Sequence, residues 1–370
     1  MHIGIIGTGR LGSFRARTMR DLVDVTNLTL YDRNWSKSTA VAHELEATVA
    51  GSVEEVIDAK PDALLISTST VDHATLVETG VEAGLPVFCE KPISLDLAAT
   101  ERLMQQVSAS GVQVQVGFQR RFDMGFRMAR EKVFNGELGR IYLVRMVGHD
   151  HEPPPESFIK GSGGMYKDMH IHEFDLIPWV VGQPIVEVYA AGSVLVDQAF
   201  QRQGDVDTTA AVLKLAEGAL VVLTGSRHNP LGYDVRMELH GSGDSVSVGW
   251  DKRVPIRPLE TEREGGSAPY LTFFDRFNDA YRAELVEFLR VVRGEIESPS
   301  TVKESWQSLR VAVAAEMSRI DHRPVSVNSV VGVESTCHMA TMRRHQRASV
   351  SRHGNALVTI VDRTDYIAPR

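Results

Sequence analysis

Residues 2 to 32 fix the fold class of the first part of this chain. His2-Ile3-Gly4-Ile5-Ile6 reads as a short buried strand that runs directly into Gly7-Thr8-Gly9-Arg10-Leu11-Gly12. A helix is predicted over Leu11 to Asp21, and a second apolar strand, Leu28-Thr29-Leu30-Tyr31, ends in Asp32, twenty residues after Gly12. Each part has a physical task. Gly7 permits the tight turn, Gly9 lets the backbone approach a pyrophosphate, and Gly12 lets the helix pack against the strand. The helix N-terminus offers unpaired N–H groups and the positive end of a dipole to the phosphates, while Asp32 is placed to accept hydrogen bonds from an adenosine ribose. A glycine turn in an unrelated α/β domain is the competing reading, and it leaves the joint arrival of strand, helix and acidic residue without a reason.

Alternation continues to about residue 120. Strand Leu64-Leu65-Ile66 is followed by a helix near Val71 to Ala83, strand Val87-Phe88-Cys89, a helix near Leu95 to Ser108 and a strand over Val112 to Val116. Such alternation implies a parallel sheet with crossover helices, so residues 1–120 are expected to form a Rossmann dinucleotide-binding domain. Beyond Gly117 the runs of strand pattern lengthen, at Ile141 to Val147, Ile185 to Ala191, Thr208 to Leu215, Ala219 to Thr224 and Val235 to His240. Residues 121–330 therefore read as an α+β domain on an open, largely antiparallel sheet. Helices are predicted over Ala280 to Val292 and Lys303 to Ile320, one or both closing this second domain.

Residues 331–370 carry six arginines, no lysine and three acidic residues, although the whole chain has a net charge of −8. This tail reads as a disordered appendage with one strand-like segment at Ala356 to Val361; a partner-binding or oligomer-clasping arm is the alternative. An acidic chain argues against nucleic acid as partner and leaves small molecules as the candidate ligands. The two cysteines, Cys89 and Cys337, lie too far apart in sequence to form a disulfide framework. Cys89 is predicted to be a buried thiol, which suits a reducing compartment. The first strand begins at once and no apolar run approaches membrane-spanning length, so the expectation is a soluble, cytoplasmic protein.

Two segments carry the candidate chemistry. Glu90-Lys91-Pro92 follows the strand at 87–89, and ligands of open α/β sheets bind outside the carboxyl ends of the strands, so Lys91 emerges near a cofactor's reactive end. The Lys91-Pro92 bond is a candidate cis peptide; a surface lysine before a turn proline is the plain alternative. Farther on, Asp168-Met169-His170-Ile171-His172-Glu173-Phe174-Asp175-Leu176 is read as one helix, which sets Asp168 and His172 a turn apart on one face and directs His170 and Glu173 elsewhere. A histidine beside a carboxylate can take a hydroxyl proton near neutral pH, as alcohol oxidation by hydride transfer requires. A satisfied core histidine, or a metal site built from His170, His172 and a carboxylate, stays open as an alternative; no metal is expected.

These motifs, with Gly117-Phe118-Gln119-Arg120-Arg121-Phe122-Asp123, resemble in order and spacing the glucose-fructose oxidoreductase/inositol dehydrogenase/MocA family over about residues 1–328. The Asp168 motif and the closing Arg276 to Leu285 segment are most similar to its inositol 2-dehydrogenase branch. The resemblance implies a cis Lys91-Pro92 bond, Lys91 polarising the reacting oxygen, His172 as general acid/base and Asp168 as its partner. It also implies that Arg121, His151, Asp175, Tyr233 and Tyr281 join Lys91, Asp168 and His172 around a polyol. Gly7, Thr8, Gly9, Arg10, Leu11, Gly12, Asp32, Arg33, Ser67, Glu90 and Lys91 are the residues expected around the cofactor. Arg33 can approach an adenosine 2′-phosphate, but Asp32 repels it, so NAD is expected ahead of NADP. The activity implied is oxidation of myo-inositol to 2-keto-myo-inositol (scyllo-inosose). Alternatives are another sugar or aminocyclitol dehydrogenase, or a non-catalytic NAD-binding regulator. The resemblance also implies that residues 121–330 are a substrate-binding and oligomerisation domain, and a homo-oligomer, dimer or tetramer, is expected.

Overall fold

The computed structural model of the chain describes residues 1–257 and 267–332. Six short strands build the first sheet: β1 (His2–Ile6), β2 (Asn27–Tyr31), β3 (Thr48–Val49), β4 (Ala63–Ile66), β5 (Val87–Glu90) and β6 (Val114–Gly117). Every pairing is parallel, in the order β3-β2-β1-β4-β5-β6. β4, β5 and β6 are buried along their whole length, as a sheet covered on both faces requires. The connecting helices Arg10–Arg20, Thr70–Glu82 and Leu97–Ser110 fall close to their predicted spans. Two more, Trp35–Leu45 and Val53–Asp58, were not anticipated.

The second sheet holds β7 (Ile141–His149), β8 (Ile185–Ser193), β9 (Thr208–Leu215), β10 (Leu220–Ser226), β11 (Asp234–Gly241), β12 (Ser245–Val248) and β13 (Val325–Ser326). Its order is β12-β11-β7-β10-β9-β8-β13. Only β7 and β10 pair in parallel; the other neighbours are antiparallel. Along β9 burial alternates strictly, so one face packs inward and the other stays open.

Of the two closing helices, expected to close the second domain singly or together, only the second lies on its sheet, while the first also covers the parallel sheet. Phe273–Val292 is kinked at Phe277, close before its predicted start, and its C-terminal arm buries Leu285, Phe288 and Leu289 with Ile3, Ile5, Leu65 and Phe88 of the parallel sheet. The rings of Phe288 and Phe88 meet edge to face at 5.6 Å. Helix Val302–Asp321, opened by a Thr301/Glu304 capping box, packs on β8 and on helix Leu97–Ser110. Residues Met1–Gly332 form one compact unit. The strand-like segment 356–361 and Cys337 lie outside the described residues, and Cys89 is a buried free thiol. Among the described residues no helix is long and apolar enough to cross a membrane.

Candidate active site

The glycine loop is built as the spacing demands. Gly7 has φ +96°, and a Cβ there would sit 2.5 Å from the carbonyl oxygen of Ser67. A Cβ on Gly12 would sit 2.0 Å from the carbonyl oxygen of Gly7, so helix and turn can touch only through glycine. Gly9 meets nothing within 4 Å, and as N-cap of helix Arg10–Arg20 it makes no side-chain cap. Open space thus adjoins the uncapped N–H groups of an 11-residue helix, which fits a pyrophosphate. At the end of β2, Asp32 Oδ2 accepts from the Thr8 amide at 2.7 Å and Oδ1 from the Asn34 amide at 2.8 Å, which fixes the carboxylate at the loop. Arg33 is turned to Asp72, 2.9 Å away, and to the hydroxyl of Ser69. Ser67 is buried at the end of β4, with its amide on the Ile6 carbonyl. Leu11 packs against the core, whereas Arg10 lies over the rings of Phe273 and Phe274.

Glu90, expected around the cofactor, is turned inward. Its Oε1 accepts from Arg15 Nε at 2.7 Å, and Arg15, fully buried, reaches Glu284 on the other side at 2.6 Å. Burial raises the Glu284 carboxyl to about 8, against the pull of Arg15 and with the help of Glu90. Tyr281 is buried beside them, under the Arg15 guanidinium and against Phe14, Phe273 and Phe274.

The next residue, Lys91, is followed by a cis Lys91-Pro92 bond and turns toward Asp168. Its Nζ donates to the Asp168 backbone carbonyl at 2.6 Å and to Asp168 Oδ1 at 3.2 Å. This contact corrects the predicted helix. In a continuous helix the carbonyl of residue 168 would accept from the amide of residue 172. Here Lys91 takes that carbonyl, the His172 amide turns to Met169 O, and the segment splits into Met165–Asp168 and Ile171–Val181. The backbone stays right-handed through Met169 and His170, but the hydrogen-bond ladder is interrupted there, and the carboxylate of Asp168 bonds Lys91 and Arg227.

His172 packs at right angles to Phe118. Its Nδ1 is buried without a partner, which leaves Nε2 as the nitrogen open to a ligand. Burial, with Lys91 and Arg120 nearby, pushes the imidazole well below the ordinary histidine range, so it stands neutral. Burial would raise Asp168, but Lys91 and Arg227 together hold it below the usual aspartate value. His170 and Glu173 do project elsewhere: His170 lies 3.2 Å from Glu173 and 2.7 Å from Thr209 Oγ1, while Glu173 pairs with buried Arg120. Among the described residues no group of three His, Cys, Asp or Glu is arranged to hold a metal ion.

Of the remaining expected substrate residues, Arg121 and Asp175 form a two-pronged buried pair, 2.8 and 2.5 Å, extended by Glu304. Their polar atoms face each other. Tyr233 is buried with its hydroxyl 3.4 Å from Arg120 Nη2, and His151 Nδ1 lies 3.0 Å from the Asn229 carbonyl. Sequence reasoning missed Arg120, Asp150 and Arg227. The first is adjacent to Arg121 in the quoted Gln119-Arg120-Arg121 motif; the other two become neighbours only through a strand pairing 77 residues apart.

Comparison with known proteins agrees with this geometry. Residues 1–118 match the profile described as "Oxidoreductase family, NAD-binding Rossmann fold", and residues 126–247 match the "GFO/IDH/MocA C-terminal domain". The chain belongs to the Gfo/Idh/MocA family of oxidoreductases. Its dinucleotide-binding half is an NAD-binding domain. Among curated members it is similar to myo-inositol dehydrogenase Hyg17 of Streptomyces leeuwenhoekii, 38% identical over 86% of this chain and 97% of that protein. A myo-inositol 2-dehydrogenase of Thermotoga maritima is 33% identical, covering 90% of this chain and all of its own length. Among solved Gfo/Idh/MocA structures, the scyllo-inositol dehydrogenase of Lactobacillus casei with bound NAD(H) and scyllo-inositol superposes with a TM-score of 0.80, at 27% identity over 89% of this chain and 99% of that one.

Proposed function

We propose that this protein oxidises a secondary hydroxyl of a cyclic polyol, in the first place myo-inositol to 2-keto-myo-inositol, with NAD. The observation that carries the reading is the Lys91 and Asp168 contact beside a neutral histidine with one open nitrogen. The similarity to inositol dehydrogenases, one of them holding scyllo-inositol, supports the substrate class.

NAD, held by the glycine loop and Asp32, supplies the hydride acceptor when bound. The chain's own part is to place the alcohol and handle its proton. His172 accepts the hydroxyl proton at Nε2, whose lone pair is free because the imidazole stands neutral, though burial, Lys91 and Arg120 all disfavour the charged ring that forms. Lys91 presents an ammonium to the oxygen as negative charge gathers there, and a cation fixed before the reaction stabilises that charge without reorganising. Asp168 anchors the ammonium through two acceptors. Its partner in this arrangement is Lys91.

Assembly is part of the reading. On the open face of the second sheet Val222, Val212 and Tyr189 lie side by side across β10, β9 and β8, each 40–45% exposed. This apolar row suits a second copy of the chain, giving a homo-oligomer. We place the protein in the cytoplasm, where the free Cys89 thiol would stay reduced.

The deciding experiment follows NADH absorbance when the protein and NAD meet myo-inositol, scyllo-inositol or glucose in separate reactions. Reduction with myo-inositol at the highest kcat/KM is expected. NAD binding without reduction by any polyol would sink the reading. Light scattering should return a mass above 40.9 kDa that falls when Val212 is changed to Glu.

A further inference from the structure

Strands β7 and β10 run in parallel with Ser226 opposite His149. The residues that follow each strand, Arg227 and Asp150, therefore leave the sheet side by side. Arg227 is held from behind, its backbone amide donating 2.8 Å to the Asp207 carbonyl. Asp207 is itself fixed by the amides of Leu195, Val196 and Asp197. From this base the side chain, 6% exposed, sends Nη1 to Asp150 Oδ2 at 3.1 Å and Nη2 to Asp168 Oδ2 at 2.8 Å.

Asp168 is thus gripped from two sides, with Oδ1 on Lys91 and Oδ2 on Arg227. Without the second grip the carboxylate could rotate off Lys91, and the ammonium would keep only the backbone carbonyl. We propose that Arg227 is a positioning residue for the reaction: it clamps Asp168 so that the lysine ammonium is presented in one orientation, and Asp150 supplies the counter-charge that holds the clamp. The inference rests on the function proposed above for Lys91 and His172.

A purely structural ion pair and a positioning clamp both shift the Asp168 titration when broken; they differ in that only loss of the clamp lowers kcat in a variant that keeps its fold, its KM and its NAD binding. The charged and titratable groups around Asp168 are Lys91, Arg227, Asp150 and, beyond these, Arg120, His172 and Asp205. Removing Arg227 leaves two acids, Asp150 and Asp168, without their shared cation, so Asp168 should hold a proton to higher pH.

The test uses full-length protein with carboxyl-13C aspartate, the Asp168 signal being assigned by its loss in Asp168→Asn. In Arg227→Gln the Asp168 titration should move to higher pH, and in Arg227→Lys, which keeps a cation but cannot fork between two carboxylates, it should move part of the way. In step with this, kcat for myo-inositol should fall about 10- to 100-fold in the Gln variant, with KM and NAD binding retained, and recover partly in the Lys variant. A kcat within about twofold of wild type in the folded Gln variant, or in the Lys variant should Gln fail to fold, overturns the inference even if the Asp168 titration has moved. Wild-type protein that oxidises no polyol overturns the proposed function instead, and the NMR titration then reports only whether Arg227 pairs with Asp168 in solution.

Discussion

Lys91 takes the backbone carbonyl of Asp168, at 2.6 Å, that a continuous helix would have given to the amide of His172. A lysine from the end of β5 thus meets the backbone where two short helical segments join, more than seventy residues away, the carboxylate ending one and the base opening the other. The contact anchors the ammonium, while burial first, then Lys91 and Arg120, keeps the His172 imidazole neutral.

If Lys91 stabilises charge on the reacting oxygen, Lys91→Met should lower turnover about 10²- to 10³-fold, the usual cost of losing one such donor. NAD affinity, measured by cofactor fluorescence, should persist, because the glycine loop and Asp32 lie outside this contact. A loss confined to NAD binding would refute the role.

For His172 the sign of the pH effect is set by burial together with Lys91 and Arg120, all of which disfavour the charged ring. The oxidation rate should stay flat as pH falls through the range where an ordinary histidine, near 6.5, gains its proton, with the acid limb lying lower. An unfolded histidine protonates below about 6.5 while the folded one resists, so His172 adds stability above that pH that is lost as pH falls toward the folded value. A pH-rate profile with its acid limb near 6.5 would contradict the assignment, and His172→Gln should remove its share of the stability slope.

Glu284 titrates in the opposite sense. Its folded-state value of about 8 lies above the unfolded value of 4.5, so the folded protein holds the proton and stability declines as pH rises between the two. Thermal melts of wild type and Glu284→Gln should diverge across this window, the variant being the less sensitive to alkali. Parallel curves would mean that the Arg15 cluster keeps Glu284 charged.

Asp72 draws Arg33 across the surface at 2.9 Å. Asp72→Ala frees that guanidinium for a 2′-phosphate, but exposed pairs are worth only about 0.2–1 kcal/mol, so the NADP to NAD ratio of kcat/KM should rise no more than about fivefold. Asp32→Ala should move it further. Steady-state rates with both cofactors separate the two contributions.

Much of this was legible in the sequence, and the limits have physical causes. Strands β1, β4 and β5 announce themselves because a fully covered parallel sheet needs unbroken apolar runs, and the roles of Gly7, Gly9 and Gly12 follow from sterics local to the loop. The cis Lys91-Pro92 bond was anticipated from the proline and the motif around it. The Asp168 helix failed because its periodicity contains no trace of a lysine arriving from β5. The contact of Glu90 with Arg15, seventy-five residues away, has no signal near Glu90 in the sequence. Arg227 and Asp150 were invisible for the same reason, their proximity being a property of strand register.

Helix Phe273–Val292 has a consequence for how the chain comes to exist. It supplies Leu285, Phe288 and Leu289 to the core of a sheet whose strands all lie before residue 118, and Glu284 to the buried Arg15. The nucleotide-binding half is contiguous in the primary structure but incomplete on the ribosome. Until synthesis has passed residue 292, Phe88 lacks its ring partner and Arg15 one of its two carboxylates. A nascent chain halted at residue 120 would carry the whole glycine fingerprint and still present an uncovered apolar face to the cell's chaperones.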